Sequence, residues 1–300
     1  MSYTEHQIRF FAEQLMLRRP QDKIDGLASS MSGVKVDLNP HQVDAALFAL
    51  KSPLSSGALL ADEVGLGKTI EAGLVLAQCW SERKRKILLI VTASLRTQWR
   101  AELEEKFFIR SEILESKNYN KAKKSDPSCN PFLVQDAVVI CSYNFASAKM
   151  RDIQLVNWDL VIMDEAHKLR NVYKRNNVMG NNLKLALKGK KKLLLTATPL
   201  QNNLMELYGL VSIIDERVFG DPDIFREAYV NVSNIELRNR NLKTRLHNFC
   251  KRTLRHQVRE YVPYTDRTVI LSSYTPSPDE EKLYNDVSNY LQRERLHAFP

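Results

Sequence analysis

A chain of 300 residues, 44% of them hydrophobic, is long enough to bury one large core or two modest ones. Lysine and arginine outnumber aspartate and glutamate by 44 to 35, and the resulting net charge of +9 suits a polyanionic partner. The four cysteines stand far apart, which argues against a disulfide framework or a zinc site; the N-terminus is too charged for a signal peptide, and no apolar run approaches the ~20 residues of a membrane span, so the expected setting is cytoplasmic, with no membrane partner.

Residues 5–18 space Ile8, Phe11 and Leu15 at helical intervals, which predicts an accessory helix within a short N-terminal region, 1–36. After a turn containing glycine and serine, Pro40, His41 and Gln42 open a second helix, because proline is tolerated in a first helical turn. The amide of a glutamine placed just ahead of a phosphate loop carries both a donor and an acceptor, so Gln42 can read an adenine edge.

The stretch ALLADEVGLGKTIEAG (58–73) predicts a strand, a loop and a helix. Gly65 and Gly67 leave the backbone free to turn successive N–H groups inward on a polyphosphate. Lys68 offers an ammonium to the β/γ-phosphates, Thr69 a hydroxyl to Mg²⁺, and the helix N-terminus its partial positive charge. A nucleoside triphosphate with Mg²⁺ is the expected ligand, held by Asp62, Glu63, Val64, Gly65, Leu66, Gly67, Lys68 and Thr69. One position departs from the G-x-x-x-x-G-K-[ST] pattern: Asp62 stands where the first glycine is usual.

Ile70, Leu74, Val75 and Ala77 continue the helix to Trp80, and the basic run ERKRK ends it as a solvated cap. KILLIVT (86–92) is apolar without interruption, which predicts a strand of a parallel sheet covered on both faces. Ser94 is a plausible helix cap, and Leu95, Trp99, Leu103 and Phe107 recur at helical spacing, which assigns Trp99 to the core. The turn from Thr92 to Arg96 sits at the C-terminal edge of a strand, where open α/β sheets bind ligands. ESKNYNKAKKSDPSCNP (115–131) predicts an exposed loop, and AVVICSY (137–143) a further strand ending near Ser142.

Trp158–Met163 is apolar and runs straight into Asp164, Glu165, Ala166 and His167. Acids directly after a buried strand are costly unless something pairs with them, and a hydrated magnesium ion is such a partner. Asp164 is therefore the expected metal residue, with Glu165 orienting and deprotonating an attacking water. KKKLLL (190–195) predicts one more strand, ending in Thr196, Ala197, Thr198 and Pro199, whose hydroxyls stand where they can relay the state of the nucleotide. Residues 215–260 are mostly helical in pattern and basic, and TVILSSY (268–274) predicts a linking strand before one last helix start.

The ordered set Gln42, DEVGLGKT (62–69), VTASLRTQW (91–99), CSYNF (141–145), DEAH (164–167) and TATPLQNNLMELYGL (196–210) resembles the first motor lobe of helicase superfamily two. T-x-T-P-L-Q-N-N-x-x-E-L is similar to the Swi/Snf-related double-stranded-DNA translocases, which also tend to carry an acid at the first glycine position. RHQVREYVPYTDR (255–267), with TPSPDEEKLY after it, resembles their bacterial branch, which includes the RNA-polymerase-recycling ATPases. The resemblance implies an α/β fold of the P-loop NTPase type, a RecA-like parallel sheet flanked by helices over 37–214, with a helical protrusion at 215–266 and a linker leading toward a second lobe at 267–300. It implies ATP as the nucleotide, adenine contact by Gln42, and His167, Thr196 and Thr198 coupling hydrolysis to movement. Thr92, Ser94, Arg96 and Ser142 would face the phosphate backbone of double-stranded DNA, giving salt-sensitive, sequence-independent binding. RNA polymerase or another DNA-bound protein is the implied further partner.

The expected function is the ATP-binding lobe of a DNA-dependent translocase that remodels protein–DNA complexes. A strand-separating helicase of a restriction or defence system is an alternative that the TPLQNN stretch argues against. A non-catalytic module docking on DNA or RNA polymerase is another, opposed by the intact Lys68, Asp164 and Glu165. A complete motor of this family brings arginines across the cleft from a second lobe, and no such lobe is read in these residues. By itself the chain is expected to bind nucleotide and hydrolyse it very weakly.

Overall fold

The computed structural model describes residues 34–51, 56–232, 234–262 and 272–291. The helix expected at 5–18 and most of the linking strand expected at 268–274 lie outside these residues. Among them, seven strands form one sheet: β1 (Gly57–Leu60), β2 (Ile87–Val91), β3 (Ser111–Ile113), β4 (Val138–Ser142), β5 (Leu160–Met163), β6 (Lys192–Leu195) and β7 (Cys250–Lys251), in the order β3-β4-β2-β5-β6-β1-β7. All neighbouring pairs are parallel.

Successive side chains of a strand point to opposite faces, and here each face has its own core. Leu60, Leu89, Ile140, Ile162 and Leu195 join the core that includes α1 (Pro40–Lys51), α2 (Lys68–Ser81) and α3 (Arg96–Lys106). Leu59, Ile90, Cys141, Val161 and Leu194 join the other, with residues of α5 (Tyr143–Ala148), α6 (Met150–Gln154), α7 (Val178–Ala186) and α8 (Leu204–Ile214). Burial on both faces is why β1, β2 and β5 are unbroken apolar runs rather than alternating ones.

Strand order sets up the site. Parallel strands place their C-terminal ends on one edge of the sheet, and β2, β5, β6 and β1 are consecutive. The segments VTAS, DEAH, TATP and the phosphate loop therefore emerge side by side, with the TATP turn between the acids and the loop.

Two segments differ from the sequence expectation. The stretch expected to be an exposed loop, 115–131, contains α4 (Ser116–Ser125). The side chains of Glu115 and Asn118 cap its first turn reciprocally, and the Tyr119 ring is buried against Phe132 and Phe145 while its hydroxyl donates to Asp152. One large apolar residue, Tyr119, among turn formers leaves no periodicity to read. The second difference concerns the expected helical protrusion, 215–266. Helix α9 (Pro222–Phe225), a π-turn (Arg226–Val230) and α10 (Ile235–Leu246) are present, but the chain then returns to the sheet as β7, pairing Cys250 with Leu59. A two-residue strand is too short to show alternation.

The chain divides after Tyr261. In the following unit the described helix is α11 (Pro278–Leu291), whose first turn is capped by Ser277 and Glu280 and which leaves Leu283, Tyr284 and Val287 exposed. No helix among the described residues is long and apolar enough to cross a membrane.

Candidate nucleotide-binding site

The loop after β1 turns on two glycines, Gly65 at φ 84° and Gly67 at φ 88°, in the left-handed region that residues with a Cβ rarely enter. At Gly67 a Cβ would also lie 2.4 Å from Gln42 Nε2. Four loop carbonyls have donors from side chains outside the loop. Lys68 Nζ donates to Asp62 O (2.7 Å) and Glu63 O (3.1 Å). The Arg255 guanidinium donates to Val64 O through Nε (3.0 Å) and Nη2 (2.7 Å). Leu66 O accepts from Gln42 Nε2 (3.1 Å) and lies 2.9 Å from His41 Nε2. No side chain caps the N-terminus of α2 at Gly67, so its first N–H groups and their dipole are left for an anion.

Asp62 is fully buried, and its Oδ1 accepts the N–H of Thr253 at 2.7 Å. Glu63 accepts the Arg255 N–H at 2.7 Å. The segment following β7 thus grips the loop from the side. An acid suits the position where a glycine is usual because it collects a donor from the segment that follows β7.

Beneath the loop, Glu71 is fully buried, and both its carboxyl oxygens, like Asp62 Oδ2, receive no N–H or O–H donor from elsewhere in the described residues. Burial pushes the Glu71 pKa up to about 9, with the Asp62 charge and a hydrogen bond to Asp62 acting in the same direction. At neutral pH Glu71 is a carboxylic acid that donates to Asp62. The folded chain keeps a proton that the unfolded chain releases above about 4.5. This contribution to stability is therefore complete in acid and is lost as pH rises toward 9. Glu71→Gln keeps the shape and the donor without the proton, and should raise stability at pH 7 by on the order of 2 kcal/mol while flattening the pH dependence of Tm. Thermal unfolding across the pH range checks this; a variant less stable than the parent at pH 7 would contradict it.

Opposite the loop, Asp164 and Glu165 leave β5. Asp164 is half-buried; its Oδ2 accepts the indole N–H of Trp99 (2.8 Å), its Oδ1 accepts the Glu165 N–H (2.8 Å), and its carbonyl accepts the Tyr143 hydroxyl (2.6 Å). Burial raises the Asp164 pKa, and the Trp99 hydrogen bond opposes that shift. Glu165 is held at φ 52°, ψ 46°, a left-handed conformation unusual for a residue with a side chain. His167 Nδ1 lies 3.0 Å from Glu165 Oε2. Lys68, Thr69, Asp164 and Glu165 line one cleft of about 260 Å³, together with Gly65, Gly67, Gln98 and Trp99. Burial lowers the Lys68 pKa, while the charges of Glu71, Asp62, Glu165 and Asp164 counter it.

The other expected residues stand around this cleft. Gln42 supports the loop from behind, with its Oε1 accepting the Asn39 N–H at 3.2 Å. Thr196 is buried at the end of β6, its hydroxyl accepting the Thr198 N–H at 3.2 Å. Thr92, Ser94, Arg96 and Ser142 lie along the same sheet edge, outside the cleft. Thr92 Oγ1 is 3.2 Å from Ser94 Oγ, Arg96 pairs with Glu115 at 3.1 Å, and Ser142 caps α5. The TPLQNN stretch is organised by Glu206, 3% exposed, which accepts from the backbone N–H groups of Gln201 and Asn202 and from the Asn202 side chain. Burial works against its charge, but these donors outweigh it and carry its pKa below the ordinary value. Arg170, just beyond DEAH, reaches both Glu206 and Gln201.

Sequence reasoning missed the polar roles of Trp99 and Tyr143, and gave Thr253 and Arg255 no role at the loop. A tryptophan on an apolar stripe reads as core, and its N–H leaves no trace in hydrophobic spacing. Arg255 lies 192 positions from the glutamate it meets.

Residues 11–298 match the SNF2-related domain. The chain belongs to this family. It is 35% identical over 252 residues to a Bacillus subtilis protein described as an uncharacterized ATP-dependent helicase, YqhH, a match covering 83% of this SNF2-family chain and 42% of YqhH. It is 34% identical over 204 residues to the RNA polymerase-associated protein RapA of Yersinia enterocolitica, covering 66% of this chain and 20% of RapA. The chain thus spans less than half the length of these relatives. The SWI2/SNF2 ATPase core of Sulfolobus solfataricus, solved in complex with dsDNA, superimposes with a TM-score of 0.61 at 22% identity, covering 75% of this chain and 46% of that one, a likeness of fold. The SNF2-family lobe described here is accordingly RecA-like.

Proposed function

We propose that this lobe binds ATP with Mg²⁺ and belongs to a motor that moves along double-stranded DNA and remodels protein–DNA complexes. The supporting observation is the convergence of Lys68, Thr69, Asp164 and Glu165, which reach one cleft from two strands that are not neighbours. The donor set fits the ligand. An uncapped helix N-terminus and an ammonium suit a polyphosphate. A half-buried carboxylate whose proton affinity is raised by burial suits a site that a cation completes.

In this reading Lys68 and the loop N–H groups hold the phosphates, and Thr69 and Asp164 hold the metal. The bound nucleotide and its metal supply the scissile phosphoanhydride and the charge that stabilises its cleavage. Glu165 orients a water and accepts its proton. His167, 3.0 Å from Glu165, and the Thr196–Thr198 turn between the acids and the loop stand where they can sense the nucleotide. Gln42 would present its second amide proton to adenine. Thr92, Ser94, Arg96 and Ser142 would meet the DNA backbone, so binding should weaken with salt and ignore sequence. The DNA complex of the Sulfolobus protein and the RNA polymerase association in the name of RapA make duplex DNA and a DNA-bound polymerase the partners to try first.

Titration of a fluorescent ATP analogue with Mg²⁺ tests the proposal. The unmodified chain should bind, and Glu165→Gln should keep that affinity within about threefold, since it removes a base and leaves the phosphate contacts in place; in a motor complete with its second lobe the same change should lower turnover at least ~100-fold. No binding by the unmodified chain would sink the proposal.

A further inference from the structure

Asp164 is held from two directions by elements that begin at the candidate DNA edge. Val91 and Ser142 are register partners at the ends of β2 and β4. From β2 the chain passes through Thr92 and the 3-10 turn Ala93–Leu95 into α3, whose first turn carries Arg96 and Trp99. From β4 it passes through Ser142 directly into Tyr143 at the start of α5. Trp99 and Tyr143 are each 3% exposed, and both spend their polar hydrogen on Asp164: the indole N–H on the carboxylate, the hydroxyl on the backbone carbonyl. The other carboxylate oxygen receives the Glu165 N–H. Rotation of the Asp164 side chain would therefore disturb both the metal ligand and the left-handed backbone that aims Glu165.

We propose that Trp99 and Tyr143 are positioning residues that carry contact with duplex DNA at the sheet edge to the Asp164 carboxylate, so that DNA sets how well the cleft takes up Mg²⁺-nucleotide. This rests on the functional reading above. Neither residue needs to touch DNA. A small displacement of the Thr92–Arg96 turn moves α3, and the indole moves with the first helical turn. Packing on both faces of the sheet makes such a shift a repositioning of the whole turn rather than a local bend.

The test uses the chain as it is. Trp99→Phe preserves a buried aromatic ring and deletes the N–H. It should raise the Mg²⁺ concentration required for half-maximal binding of the ATP analogue about tenfold, with at most a threefold change in Mg²⁺-free affinity and a Tm within a few degrees of the parent. Tyr143→Phe, which deletes one hydroxyl, should raise the Mg²⁺ requirement about threefold. A second measurement needs no replacement at Trp99: with 5-fluorotryptophan at Trp80, Trp99 and Trp158, the ¹⁹F resonance of Trp99 should shift on adding a 30-base-pair duplex, at concentrations where anisotropy of the labelled duplex shows it bound, while that of the core residue Trp158 stays still. An unchanged Mg²⁺ requirement in Trp99→Phe, or a Trp99 resonance unmoved by bound duplex, overturns the inference and leaves the nucleotide site standing. Failure of the unmodified chain to bind nucleotide at all overturns the functional reading, and this inference with it.

Discussion

Lys68→Ala is expected to weaken binding of an ATP analogue at least ~100-fold, equivalent to about 2.7 kcal/mol. Two losses combine. The ammonium is the cation closest in sequence to the loop glycines and lines the cleft, so its removal takes away a charge-assisted hydrogen bond to phosphate. It also removes the donor to Asp62 O and Glu63 O, two of the four loop carbonyls that have side-chain donors. Lys68→Arg keeps the charge but replaces a compact ammonium with a broad planar fork, and should restore little. Equilibrium titration distinguishes the outcomes, and Tm should change far less than affinity, because the lysine is only half-buried and its bonds are to the loop's own carbonyls. Affinity retained in Lys68→Ala would mean that the loop N–H groups and helix dipole suffice, and that the lysine acts later in the reaction.

Gly209→Ala is expected to destabilise the chain strongly. A Cβ at Gly209 would lie 2.0 Å from the carbonyl oxygen of Arg170. The obstacle is backbone, so it cannot swing aside as a flexible side chain would. Helix α8 must separate from the segment following DEAH, and the buried Glu206 cluster must stretch with it. A cost of about 3 kcal/mol is expected, which for a domain of this size lowers Tm by roughly 8 °C. Gly180→Ala is the control: the three atoms nearest its Cβ all belong to the Asn177 side chain, at 3.1 Å or more, on a helix where alanine is intrinsically favoured. Equal Tm values for the two variants would show that the close approach at Gly209 is not a constraint. Because Arg170 follows DEAH so closely, Gly209→Ala should also loosen the acids, and the loss of nucleotide affinity should exceed that expected from unfolding alone.

Gly67 and Gly209 separate what is local from what is not. Gly67 is legible because it sits in a pattern whose chemistry demands a left-handed turn, and its neighbours Lys68 and Thr69 belong to the same short stretch. Gly209 lies in an ordinary apolar helix, and only the approach of a distant carbonyl gives it a role. Trp99 divides in the same way. The spacing Leu95, Trp99, Leu103, Phe107 assigns its ring to the core, where it is 3% exposed. The partner of its N–H, 65 positions away, follows from strand order alone.

Local chemistry thus determined what the residues could do. Uninterrupted apolar runs announce a two-faced parallel sheet, glycines followed by lysine and threonine raise the expectation of a phosphate loop, and acids placed straight after a buried strand raise the expectation of a cation. Each signal is contained within about ten residues, where steric freedom, periodicity and desolvation operate directly on neighbours. Tertiary structure decided which of those pieces meet. The order β2-β5-β6-β1 brings loop and acids to opposite sides of the TATP turn, and the return of β7 beside β1 supplies Thr253 and Arg255 to a loop some 190 residues earlier. It also buries Asp62 and Glu71 beside each other, where Glu71 keeps its proton. Such pairings depend on how strands are ordered and how much surface they exclude from solvent, and neither quantity is written in the spacing of side chains along the chain.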